Sequence, residues 1–111
     1  MSTMVKLVRD RIPEIIRRNG EEPATYVAGA PEYRKRLRDK LSEEVGEFLE
    51  AEEEHSKEEL ADVLEVVHAL ARDLGMTLED LERRRAEKAA ERGGFEGRIM
   101  WTDVENGSGR R

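Results

Sequence analysis

At 111 residues, with 41% charged and only 37% hydrophobic side chains, the chain is near the commonest domain size but has little material for a large core. Its net charge of −6 argues against binding a nucleic-acid polymer, and the absence of cysteine excludes disulfide frameworks and thiolate metal sites. No apolar run approaches membrane-spanning length and the first residues hold no apolar leader. The expectation is a soluble cytoplasmic protein, one domain over residues 1–111, pairing with further copies into a homodimer or larger homo-oligomer.

In chain order, Asp10 is placed to cap a first helix, with Pro13 in its first turn and Val8, Ile12, Ile15 and Ile16 along one face. Asn19-Gly20 ends it. The β-prone run Ala24–Ala28 reads equally well as a short strand or an extended loop. Pro31 and Glu32 open a long second helix whose stripe is Leu37, Leu41, Val45, Phe48 and Leu49. A polar break at His55-Ser56 precedes a third helix, starting at Ser56 and closed by Gly75. Its stripe of Leu60, Val63, Leu64, Val66, Val67, Leu70, Ala71 and Leu74 is broad enough for burial on most sides. Thr77 and Asp80 resemble a capping pair for a fourth helix with a thin face of Leu78, Leu81, Ala86, Ala89 and Ala90, stopped by Gly93-Gly94. A second β-prone run, Arg98–Thr102, allows a two-stranded pairing with the Ala24 segment, and residues 106–111 read as a frayed tail.

The second and third helices each carry two acids three residues apart, Glu44 with Glu47 and Glu59 with Asp62. Residues so spaced share a helix face, so a hairpin would bring the four carboxylates together. The plain alternative is a solvated acidic face, and it holds for Glu50, Glu52, Glu53 and Glu54. Glu59 has a second plain reading, because Ser56-Lys57-Glu58-Glu59 fits a capping box. Against both, Glu59, Asp62, Glu44 and Glu47 border the apolar stripes, where unpaired acids are costly. Two carboxylates about 4 Å apart repel by roughly 4 kcal/mol at an effective dielectric near 20. Lys40 and Lys57 do not follow the same stripes, and a hard divalent ion with oxygen-only ligands, Mg²⁺ or Mn²⁺, relieves the repulsion directly. His68 reads as a helix-edge residue rather than a ligand.

The sequence Glu43-Glu44-Val45-Gly46-Glu47 followed by Glu59-Leu60-Ala61-Asp62 resembles the EExxE…ExxD signature of the all-α nucleoside triphosphate pyrophosphohydrolases, the MazG-like superfamily. Residues Lys6–Ile16 and Lys88–Phe95 are similar to the two ends of a small subgroup labelled phosphoribosyl-ATP pyrophosphohydrolase-like, or house-cleaning pyrophosphatases. The resemblance implies an all-α four-helix bundle built on an antiparallel hairpin. It also implies Mg²⁺-dependent cleavage of a nucleoside triphosphate between the α- and β-phosphates. By motif, the metal ligands would be Glu44, Glu47, Glu59 and Asp62, with Glu43 orienting water. The short spacer between Glu47 and Glu59 implies a tight turn. Departing pyrophosphate needs cations, and Lys88 with Arg92, four apart on one helix, and Lys6 with Arg9 are the candidates, against an ordinary solvated face. Arg83–Arg85 reads as surface with Glu79 and Glu82 as partners, and Trp101, Tyr26 and Phe95 read as base-stacking or as core or interface aromatics. The alternative function is a non-catalytic helical module of the same shape that binds a nucleotide or metal, or dimerises.

Overall fold

The computed structural model describes residues 4–102. Four helices follow in order, α1 (Ile12–Arg18), α2 (Ala30–Glu50), α3 (Glu53–Asp73) and α4 (Leu78–Arg92), and no strand occurs among the described residues. The fold is therefore all-α, as expected. The chain divides into two compact units, Met1–Leu78 and Glu79–Arg111. No helix among the described residues is long and apolar enough to cross a membrane.

In the first unit, α1 begins one residue later than an Asp10 cap would require. Ile12 N–H donates to the Arg9 carbonyl at 3.0 Å, so residues 9–12 form a turn and Arg11 becomes the N-cap, without a side-chain capping bond. Pro13 sits in the first turn, where its missing N–H is no loss. The helix ends as the sequence indicates: Gly20 takes a left-handed φ of 92°, and the amides of Gly20 and Glu21 donate back to the carbonyls of Arg17 and Ile16.

The hairpin of α2 and α3 organises this unit. Pro31 opens α2. The break between the helices lies at Ala51-Glu52, two extended residues, and not at His55-Ser56. Glu53 and Glu54 are good helix formers whose charge suits a helix N-terminus, so α3 starts three residues earlier than expected. Ser56 then lies inside the first turn, with its Oγ donating to the Glu52 carbonyl at 3.2 Å. The Ser56–Glu59 capping box does not form, and Glu59 falls in the second turn of the helix. Such a short link forces an antiparallel return, visible in cross-helix partners that run in opposite directions: Arg34 bonds Asp73, while Glu44 meets Asp62.

The buried residues of the hairpin are Leu37, Val66, Ala71 and, unusually, Glu44. The expectation that α3 is buried on most sides does not hold, since Leu60, Leu64 and Leu74 are more than half exposed, and Val45 and Leu49 of α2 are exposed too. A single neighbouring helix covers one face of α3, whereas its apolar stripe is wider than one face. Residues 24–28 and 98–102 are not strands, so the two-stranded pairing is absent. β-prone residues need a sheet surface to pack on, and Val27, Ile99 and Met100 remain almost wholly exposed. The expected frayed tail, residues 106–111, lies outside the described residues.

In the second unit, α4 has no fully buried side chain. Arg85 makes a two-pronged bond to Glu82 at 2.9 and 2.6 Å, and Arg83 pairs with Asp80 rather than Glu79 at 2.9 Å. The arginine run is a surface feature, as its composition suggests.

Candidate metal centre

The hairpin brings carboxylates from both helices to one place. Glu44 of α2 and Glu59 and Asp62 of α3 each offer an oxygen, and the three atoms lie within 4.8 Å of one another. Glu44 is 8% exposed, the only buried acid among the described residues. Glu47 stands beside the group rather than within it: its side chain is exposed, but its carboxylate bears on Glu59. Glu59 itself is held above the usual glutamate range, first by desolvation, then by the charges of Glu47, Asp62 and Glu44. Its Oε1 is closed off from solvent and has no hydrogen-bond partner.

Three basic side chains approach from outside. Lys6 Nζ lies 3.1 Å from Glu43 Oε2, and Arg9 Nη2 lies 2.8 Å from Asp62 Oδ1. Lys40, which the stripe argument set aside, reaches Glu44 at 3.4 Å and Glu43 at 3.6 Å. The bond from Lys6, the largest influence, holds Glu43 below the usual glutamate range. Glu43 is therefore tied to two lysines at the rim of the cluster. When all five acids are ionised, three cations leave two negative charges uncompensated, the charge that one divalent ion would neutralise.

A cleft of about 510 Å³ adjoins the cluster, bounded by residues 7–12, by the hairpin and by Ile15 of α1. Arg9, Lys40, Glu44 and Asp62 mark its charged wall, and Tyr33, Leu37 and Val66 belong to its apolar wall. Lys40 and Tyr33 are the two residues that sequence reasoning missed. Both had a signal: Tyr33 precedes Leu37 by one helical turn, and Lys40 precedes Glu44 by one. Tyr26 is exposed and donates its hydroxyl to Glu32 at 2.6 Å, while Phe95 and Trp101 are exposed in the second unit, so none of the three is core. Lys88 and Arg92 are exposed on α4, with Arg92 4.0 Å from Glu91.

The donor set suits a hard divalent cation. It consists of carboxylate oxygens alone, which favour Mg²⁺ or Mn²⁺ over softer metals. Oxygens facing each other across Mg²⁺ are separated by about 4.2 Å, twice a bond of about 2.1 Å. A spread of at most 4.8 Å therefore needs only side-chain adjustment. The orphaned Glu59 Oε1 is the atom most in need of a partner, because a buried acceptor without one forfeits its hydration.

Comparison with known proteins agrees with this geometry. Residues 33–94, 62 of the 111, match the MazG nucleotide pyrophosphohydrolase domain. An uncharacterized protein of Mycolicibacterium smegmatis is 47% identical over 49 residues, 44% of this chain and 50% of the relative. The aligned part thus spans half the length of that relative. No solved structure matches. The matched span takes in α2 from Tyr33 onward, the whole of α3 and all five acids, and the chain belongs to the MazG nucleotide pyrophosphohydrolase domain family.

Proposed function

We propose that the chain is a Mg²⁺-dependent nucleoside triphosphate pyrophosphohydrolase, with water adding across the α–β anhydride to release a nucleoside monophosphate and pyrophosphate. The observation that carries this reading is the group of Glu44, Glu59 and Asp62 oxygens within 4.8 Å, with Glu59 Oε1 buried and unpartnered. Glu44, Glu59 and Asp62 would hold the ion, with Glu47 as a further ligand from the edge. When bound, Mg²⁺ supplies charge neutralisation at phosphate oxygens and a more acidic water. The protein's own part is placement. Glu43 is kept ionised by Lys6 and Lys40 and can accept a hydrogen bond from the attacking water. Arg9 and Lys6 are suited to phosphate, Lys88 and Arg92 are further candidates for the departing pyrophosphate, and the apolar wall with Tyr33 offers a surface for a base. A role in clearing unwanted nucleotides from the cytoplasmic pool fits a small hydrolase of this family.

The assay is a nucleoside triphosphate panel with Mg²⁺. Equal release of monophosphate and pyrophosphate is expected, abolished by Glu59→Gln and by Glu44→Gln. Undiminished turnover by either variant rejects the site. The pairing of Glu43, Glu44 and Asp62 with protein cations favours one second reading, a module that binds metal or nucleotide without turnover. A melting midpoint raised by Mg²⁺ with no triphosphate hydrolysed would select it.

A further inference from the structure

We propose that Arg9 is a built-in counter-ion which a divalent cation displaces from Asp62, and that the freed guanidinium then clamps phosphate in the adjoining cleft. The inference rests on the metal-dependent reading above but concerns residues N-terminal to the family match, which begins at residue 33. Residues 4–11 form no helix, and two ion pairs tie them to the hairpin: Lys6 to Glu43 and Arg9 to Asp62, across 37 and 53 residues of sequence. The two ties differ in kind. Glu43 is outside the group of convergent ligand oxygens, so the Lys6 tether is compatible with a bound ion. Asp62 is a member of that group, and Arg9 occupies its Oδ1 at 2.8 Å. A cation shared by Glu44, Glu59 and Asp62 both repels the guanidinium and competes with it for the Asp62 carboxylate.

Release is cheap because the pair is exposed, with the Arg9 side chain 55% and that of Asp62 41% accessible. Exposed pairs of this sort are weak. Nor does the guanidinium have far to travel, since Arg9 already lines the cleft together with Lys40 and Glu44. Its planar fork matches two phosphate oxygens at once, a geometry that an ammonium lacks. The same residue thus screens the acids before the metal arrives and grips the anion afterwards, with Lys6 keeping the segment in place.

Calorimetric titration with Mg²⁺ alone, then with pyrophosphate at saturating Mg²⁺, tests this on the full chain. For Arg9→Gln, Mg²⁺ affinity should rise about two- to fivefold, the range for losing a competing exposed pair. Pyrophosphate affinity should fall about tenfold or more, as for a lost charged hydrogen bond. Arg9→Lys should restore the Mg²⁺ affinity but not the pyrophosphate affinity. Lys35→Gln, which removes an equal charge from the exposed Asp39 pair, should leave both near wild type and so controls for net charge. Opposite signs for the two ligands are the signature, since a merely structural role would weaken both. Unchanged or weakened Mg²⁺ binding by Arg9→Gln, or unchanged pyrophosphate binding, overturns the proposal while leaving the metal site standing. Failure of wild-type protein to bind Mg²⁺ overturns both.

Discussion

Lys40→Met removes the cation that spans Glu44 and Glu43 while keeping the apolar stem. The pair is local, four residues apart with lysine first, which is the weaker orientation on a helix. If exposed, it would contribute at most about 1 kcal/mol. It is not exposed: the Lys40 side chain is 17% and the Glu44 side chain 10% accessible. Removing one partner of a fully buried pair costs roughly 3–5 kcal/mol, because the remaining charge loses both water and its counter-ion. The intermediate burial places the loss at about 2 kcal/mol. For a chain of this size that lowers the melting midpoint by roughly 10 °C. Urea unfolding without metal measures it directly, and adding Glu44→Gln to the variant should recover most of the loss. Saturating Mg²⁺ should narrow the gap. At about 100 times Kd the ion stabilises the wild type by roughly 2.7 kcal/mol, and it should stabilise the variant more, because one fewer protein cation opposes it. A variant within about 0.5 kcal/mol of wild type without metal, a typical surface substitution, would refute the reasoning. So would a gap that Mg²⁺ does not alter.

The other predictions concern pH and assembly. The raised pKa of Glu59 means that this group's contribution to stability is full below the ordinary glutamate value, about 4.3. It is lost as pH rises through the folded-state value. Metal-free protein should weaken over that window, and saturating Mg²⁺ or Glu59→Gln should remove the weakening; a melting profile that keeps the same slope in both would contradict the assignment. Glu43 has the opposite sign. Its lowered value gives stability that is present above the ordinary range and lost as pH falls through the folded-state value, a loss that Lys6→Met should reduce in acid titration, leaving the share that Lys40 supplies. We also propose that Leu60, Leu64, Val45 and Leu49 are covered in a homodimer or larger homo-oligomer. Light scattering should then give at least twice the chain mass, falling to one chain for Leu64→Lys; a wild-type monomer would exclude it.

Much of this was legible in the residues. Pro13, Pro31 and the glycines after α1 and α3 mark helix boundaries through backbone constraints that act within a few residues, so no tertiary knowledge is needed to read them. The two acid pairs were legible for the same reason: three-residue spacing fixes a shared face on any helix. The misplaced break at His55-Ser56 shows where local signals compete. A Ser-x-x-Glu pattern suggested a helix start, but two glutamates before it extended the helix and released Glu59 from capping.

Spacing along one helix thus determined which carboxylates can share a face, and with the family signature it pointed to the chemistry. Only the packed hairpin decided that Glu44 is buried and that Glu47 stands at the edge, and only tertiary contact brought Lys6 and Arg9 to join Lys40 beside the acids. The last two depend on side chains 37 and 53 residues apart meeting in space. Helical periodicity carries no information at that range; the turn at Ala51-Glu52 and the path of residues 4–11 across the hairpin do.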